Sequence, residues 1–191
     1  AATDRCPLVS RPITLRAGHV VAAAAAVVGA FALDQATKAW ALSALSTGSV
    51  IELVPTIRLE LFFNPGVAFG IGADGGAPLV VGLAAVIAAL LGWICVRLAR
   101  GASVTGTVFL AVAAGGATGN LWDRISRAED GPLTGHVVDF IAVDWFAVFN
   151  AADIFTTTGI ALWALTSATR APRFSAVNPA HPEKPDLRAP F

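Results

Sequence analysis

The sequence predicts an all-α membrane protein: four transmembrane helices with a small extracytoplasmic β-sheet and loop region at the outer interface. Composition is the first reason. Of 191 residues 55% are hydrophobic and 14% are charged, and the mean hydropathy is +0.69. A water-soluble domain carries roughly 25% charged residues. Run length is the second reason. The apolar residues collect in four stretches near the roughly 20 residues that a helix needs to cross hydrocarbon. Charge distribution is the third. Arg5, Arg11 and Arg16 precede the first stretch, Arg97 and Arg100 separate the second from the third, and Arg170, Arg173, Lys184 and Arg188 follow the fourth. Glu52, Glu60 and Asp74 lie after the first stretch, and Asp123, Glu129, Asp130, Asp139 and Asp144 after the third. Cytoplasmic loops carry the Lys/Arg excess. Both termini are therefore placed inside, and loops 45–77 and 123–150 outside; an even number of spans agrees.

In chain order, residues 1–19 form a cytoplasmic tail and residues 20–170 a four-helix membrane domain. The first helix covers about 20–45. It opens VVAAAAAVVGAFAL and then carries Asp34, Gln35, Thr37 and Lys38, too long and too polar at its far end for a cleaved signal peptide. The second covers about 78–98, the third about 104–122 and the fourth about 151–168. Between the first two, TIRLELFF (56–63) alternates Ile57, Leu59 and Leu61 with Arg58, Glu60 and Phe62, the period of a half-buried strand. HVVDFIAV (136–143) is a second extended segment. Residues 171–191, with Pro172, Pro179, Pro182, Pro185 and Pro190 and few apolar residues, read as a disordered cytoplasmic tail. There is no internal repeat.

Several functions are excluded early. A formal net charge of +0 leaves no basic footprint for nucleic acid. The two cysteines, Cys6 and Cys95, stand far apart without a CxxC or a Cys/His cluster, so neither a structural disulfide nor a zinc site is expected. His19, His136 and His181 are scattered. No metal site is expected.

Polar residues inside spanning segments usually face the bundle interior. Asp34 and Lys38, four apart, share a helix face; an ion pair that shields itself and a direct functional role both fit. Asn64 sits in the turn FFNPGVAFG. Asn120, Asp123 and Arg124 close the third run, the last two readable as an interfacial ion pair, and Trp122 and Trp145 fit an aromatic belt. The stretch VVDFIAVDWFAVFNAAD (137–153) holds three aspartates among apolar residues. Asp144 belongs to a turn, where a solvated carboxylate costs little. Asp139, between VV and FI, and Asp153, in the first turn of a helix that Asn150 can cap, are the anomalous pair. Two carboxylates close together share a proton. That gives one acid and one base at the same pH, the means to activate water against a peptide carbonyl.

Five motifs, DQATK (34–38), NPGVAF (64–69), GGATGNLWDR (115–124), VVDF (137–140) and FNAAD (149–153), stand in this order relative to the four runs. Together they resemble signal peptidase II, the bacterial lipoprotein signal peptidase family, over roughly residues 20–165. The one small departure is Val67, where the family often has alanine. The resemblance implies an aspartic endopeptidase of the bacterial cytoplasmic membrane with its site near the outer face and with no cofactor. Its substrates would be diacylglyceryl-modified prolipoproteins, cut just before the lipidated cysteine, with membrane lipid as the other partner. By motif, Asp139 and Asp153 are the catalytic dyad, and Asp34, Lys38, Asn64, Asn120, Arg124 and Asn150 the supporting residues. Asn64, Asn120 and Asn150 can donate amide hydrogens to the dyad or to the substrate backbone; Asn64 is expected to turn back toward the dyad and aim its amide at the substrate backbone, with Phe69 near the lipid interface.

Rival functions fit less well. A transporter needs polar groups through the full depth, but the inner halves of the last three runs hold almost none. The G-x-G-D string of another intramembrane aspartic protease type is absent. A non-catalytic scaffold leaves Asp139 and Asp153 unexplained.

Overall fold

Long runs of alanine, valine and leucine build the helices, and shorter β-branched and aromatic stretches build the strands between them. In this computed structural model the order is α1 (Ala17–Ala44), β1 (Ile51–Val54), β2 (Ile57–Asn64), α2 (Gly76–Ala99), α3 (Val104–Ser126), β3 (Val137–Val143) and α4 (Ala151–Ala168). The structure describes residues 16–46, 48–66, 72, 75–128 and 131–169. Val67, Phe69, the tail from 171 and all but the end of the N-terminal tail lie outside the described residues.

Helices α1, α2 and α3 are each long and apolar enough to cross a membrane. Their 28, 24 and 23 residues correspond to roughly 34–42 Å. Helix α4 is shorter, at 18 residues, and its first half, with Asp153 and the run Thr156, Thr157, Thr158, is less apolar. Large apolar side chains point away from the bundle, among them Val21, Val28 and Leu33 of α1, Val81 and Val96 of α2 and Leu162 and Leu165 of α4. A surface of this kind is suited to a hydrocarbon solvent and is a liability in water.

Helix α3 is the hub and packs against the other three. Small residues make this possible. A Cβ on Gly115 would run into the Val27 carbonyl of α1, one on Gly116 would sit 2.5 Å from the Ala152 carbonyl of α4, and one on Gly119 would strike the Asp34 carboxylate. Small residues let backbones approach closely where lipid gives no hydrophobic drive for helix association. At one end of the bundle Ala23, Ile94, Leu110, Ala111 and Ala114 form a buried cluster joining α1, α2 and α3. At the other end Ala41, Leu45 and Phe140 bury together, with Leu59, Leu61 and Ile141 against them, and seat the sheet on the end of α1.

The sheet is antiparallel with order β1-β2-β3. Strands β2 and β3 match the two extended segments expected from sequence. Strand β1, whose four residues are all exposed, was not signalled by any alternation.

Helix α3 continues to Ser126, one turn past the expected 122, because nothing in LWDRIS breaks a helix. This corrects the reading of Asp123 and Arg124 as an ion pair. Consecutive helical residues do not face each other, and the two side chains diverge to different elements.

The close approach of α3 to its neighbours makes a stability test. Gly116→Ala should destabilise the protein by about 1–3 kcal/mol through overpacking. Gly92→Ala, where an added Cβ meets nothing within 4 Å, should be neutral or stabilising by up to about 1 kcal/mol. Thermal unfolding of both variants in detergent checks the contrast; equal midpoints would remove the role assigned to Gly116.

Candidate active site

The site begins with a buried cation. Lys38 of α1 has no exposed surface, and its ammonium bonds Asp34 Oδ2 at 2.9 Å, Asp123 Oδ2 at 2.9 Å and Asn120 Oδ1 at 2.8 Å. An ammonium has three donors, and all three are used. Each acid then has work beyond Lys38. Asp34 Oδ1 accepts the Ala152 N–H at the start of α4, at 3.0 Å. Asp123 Oδ2 accepts the Val138 N–H of β3 at 3.2 Å, and its Oδ1 takes Arg127 at 3.3 Å. Gln35 donates to both acids, at 3.1 Å and 3.4 Å. Lys38 is therefore shared by two acids, not only by the Asp34 that sequence spacing pairs with it.

Asp139 is positioned by β3 and by a bulge in β2. Ile57 and Leu59 face Val143 and Ile141, but after one extra residue in β2 it is Phe62 that faces Asp139 and Asn64 that faces Val137. Without the bulge Asn64 would fall on the opposite face of the sheet. With it, Asn64 is a diagonal neighbour of Asp139 and its Nδ2 donates to Asp139 Oδ2 at 2.9 Å. Asn64 Oδ1 accepts the Gly66 N–H at 3.0 Å, which fixes the amide. The turn thus sends Asn64 toward Asp139 as expected, and of the two partners the sequence allowed its amide, an aspartate of the pair or the substrate backbone, it holds the carboxylate. Arg124 clamps the same turn by donating to the Pro65 carbonyl at 3.1 Å and to the Gly66 carbonyl.

Asp153 is positioned by the start of α4. Asn150 and Asp153 form a reciprocal capping box: Asn150 Oδ1 accepts the Asp153 N–H, and Asp153 Oδ2 accepts the Asn150 N–H, both at 3.1 Å. Asp153 Oδ1 accepts Asn120 Nδ2 at 2.8 Å. The Nδ2 of Asn150 reaches Asp139 Oδ1 at 2.6 Å and Asn120 Oδ1 at 3.0 Å. Each oxygen of both carboxylates therefore accepts a fixed N–H, and each keeps a further lone pair for a water proton.

Asp139 and Asp153 face one cavity of about 630 Å³. Asn64, Asn120 and Arg124 complete its polar end, while Leu83, Val86 and Ile87 of α2 and Ile154 of α4 make an apolar wall between the two helices. All eight residues singled out by sequence take part in this network. Asp144 does not: it lies exposed in a turn and pairs with Arg58. Asp123 and Gln35 were missed, as was the loop 146–149 that lines the cavity. Asp123 was legible in principle, since it lies three residues after Asn120 on the same helix face. Among the described residues no group of three His, Cys, Asp or Glu stands together as metal ligands.

Asp139 is 1% exposed, and its carboxyl is pushed up from 3.8 to about 6, chiefly by burial. The charge of Asp153 adds to the push, while hydrogen bonds from Asn64 and Asn150 and the charge of Lys38 oppose it.

The sequence pattern of the signal peptidase (SPase) II family matches residues 26–169. Relatives named lipoprotein signal peptidase include one from Bifidobacterium longum subsp. infantis, 45% identical over 140 residues, which are 71% of this chain and 69% of the relative. One from Pseudomonas putida is 39% identical over 70% of this chain and 78% of its own length. A solved bacterial membrane enzyme, determined by the in meso method at 2.3 Å resolution, is 25% identical and superposes with a TM-score of 0.60, covering 88% of this chain and 99% of its own.

The burial of Asp139 has a pH signature. A carboxyl with a folded pKa above its unfolded value contributes stability below 3.8 that is lost as pH rises through about 6. The full span is worth at most about 3 kcal/mol. Asp139→Asn has no such titration. Its stability relative to the parent should therefore rise between about pH 4 and about pH 7.5 by up to that amount. Thermal midpoints of the two proteins across this range measure it; a difference that stays flat would mean that burial does not tax the carboxylate.

Proposed function

Since the chain belongs to the signal peptidase II family of membrane aspartic proteases, we propose that it removes signal peptides from diacylglyceryl-modified prolipoproteins, cutting just before the lipidated cysteine. The observation that carries this reading is the pair Asp139 and Asp153, facing one cavity with an apolar wall on its other side. One carboxylate takes a proton from water as the water oxygen attacks the scissile carbonyl. The other, protonated, gives its proton to the carbonyl oxygen. Collapse of the tetrahedral adduct breaks the C–N bond, and the departing amine receives a proton from the dyad. The products are the carboxyl end of the signal peptide and the free amino group of the lipidated cysteine. The balance needs only water.

The surroundings support this assignment. A signal peptide is an apolar helix and its modified cysteine carries acyl chains, so both arrive through the bilayer. The apolar wall of α2 and α4 offers them a lateral route to the polar end. Asn64, Asn120 and Asn150 hold the carboxylates, and Arg124 holds the turn that carries Asn64. In this reading all four helices span the bacterial cytoplasmic membrane, both termini lie in the cytoplasm, and the dyad sits near the outer face. A proton channel is disfavoured by the apolar cluster around Leu110 and Ala111, which fills the far end of the bundle.

Asp139→Asn and Asp153→Asn should each lower cleavage of a lipidated precursor by more than about a hundredfold, with the protein still folded. Asp144→Asn should stay within about threefold of the parent, because a surface ion pair is worth little. Cleavage in detergent, with an unlipidated precursor run alongside, checks both points. A dead Asp144→Asn with an active Asp139→Asn would overturn the dyad, and equal cleavage of both precursors would overturn the substrate class.

A further inference from the structure

We propose that Asn120, oriented by Lys38, is the positioning residue that makes the two dyad carboxylates unequal: Asp153 is kept as the carboxylate that accepts the proton of water, and the proton of the resting dyad stays on Asp139. This rests on the peptidase reading above and assigns the separate roles within it.

The geometry starts with an amide that has one possible orientation. Asn120 Oδ1 lies 2.8 Å from the Lys38 ammonium and 3.0 Å from the Asn150 amide nitrogen. Both are donors, so the oxygen must face them. The NH₂ group must then face the other way, and it lands 2.8 Å from Asp153 Oδ1. A flipped amide would set donor against donor at Lys38. The ammonium also withdraws electron density from the amide oxygen, which makes the NH₂ a stronger donor, as in polarised hydrogen-bond chains. Asp153 therefore receives a donor tied to a buried positive charge. Its other oxygen accepts the Asn150 N–H at the first turn of α4, where the helix dipole favours a negative charge.

Asp139 has the opposite setting. It lies in a strand between Val138 and Phe140, both buried, with no helix terminus behind it. Its two donors are the side-chain amides of Asn64 and Asn150, neither of which touches an ammonium. Burial pushes its carboxyl up to about 6, which agrees with a resting proton there.

The charge count leads to the same state. Among the described residues, the charged groups around the dyad are Lys38 and Asp34 from α1 and Asp123, Arg124 and Arg127 from α3, with Asp139 from β3 and Asp153 from α4. Lys38 and Arg127 match Asp34 and Asp123 in the ion pairs. Arg124, 4% exposed, is left to balance a dyad with a single negative charge. A second carboxylate charge would be buried without a counter-ion, which is costly.

Asn120→Ala is the discriminating variant, because it leaves Lys38 paired with Asp34 and Asp123. In the pH profile of kcat/KM for a lipidated precursor, the acid limb reports the base of the free enzyme and the alkaline limb the acid. The variant should move the acid limb upward by about one pH unit, in line with the loss of one charge-assisted hydrogen bond, with the alkaline limb in place. Unmoved limbs with a lower rate would reduce Asn120 to a structural part, and a moved alkaline limb would reverse the assignment. A second measurement needs no substrate. The γ-carboxyl carbon resonances of ¹³C-aspartate-labelled protein, assigned through the single Asn variants, should show the proton of the singly protonated dyad on Asp139. A proton found on Asp153 would overturn the proposal. If the resonances agree but the lipidated precursor is not cleaved, only the peptidase reading falls.

Discussion

The placement of one buried ammonium governs this protein. Lys38 is fully enclosed, and an isolated charge there would be prohibitively expensive. Its three partners therefore have to be present and in position, and they come from two different helices. Asp34 shares α1 with it, while Asn120 and Asp123 come from α3. The acids pass the constraint outward. Asp34 holds the first turn of α4 through the Ala152 N–H, and Asp123 holds β3 through the Val138 N–H. The residue after Ala152 is Asp153 and the residue after Val138 is Asp139, the two aspartates of the proposed dyad. One cation thus sets the positions of both backbones without touching either carboxylate.

Three asparagines then make a site in which neither carboxylate is left bare. An amide offers a donor and an acceptor on one rigid plane, so it can be fixed by its oxygen and work through its nitrogen. Asn120 is fixed by Lys38, Asn64 by the Gly66 N–H and Asn150 by the capping box. Neutral donors can steady a buried carboxylate and still leave it able to titrate. An arginine or lysine in direct contact with either oxygen would hold it ionised and remove the acid. Arg124 instead spends its donors on the carbonyls of the β2 turn.

Helix packing supplies the room for this chemistry. Gly115, Gly116 and Gly119 bring α1 and α4 onto α3 so closely that an added Cβ at any of them would overlap a neighbour. The close contact with Asp34 at Gly119 is what lets the ion cluster form between backbones. Helix α2 contributes instead to the apolar wall opposite the dyad. Tight packing on one side of α3 and a cavity on the other give fixed carboxylates beside a space that an apolar chain can enter.

By itself the sequence determined the helical membrane fold, because composition, run length and charge distribution are properties of the chain that no partner can change. It also picked out eight residues of the network, though not Asp123 or Gln35. Carboxylates and amides among Val, Phe and Ala are anomalous wherever the chain folds, and the spacing of the motifs resembled a known family. Only the tertiary structure decided who holds whom. Lys38 and Asp34 were legible as a pair four residues apart, but Asp123 reaches Lys38 from 85 residues further along the chain, across a helix interface that glycines bring close. Arg124, adjacent to Asp123 in sequence, turns away from it because neighbouring positions on a helix point in different directions. Asn64 reaches Asp139 only because one extra residue in β2 changes the face of the strand on which it lies. Alternation in the sequence gives a strand its period. Its register is settled by pairing with β3, and that depends on contacts the linear order of residues does not contain.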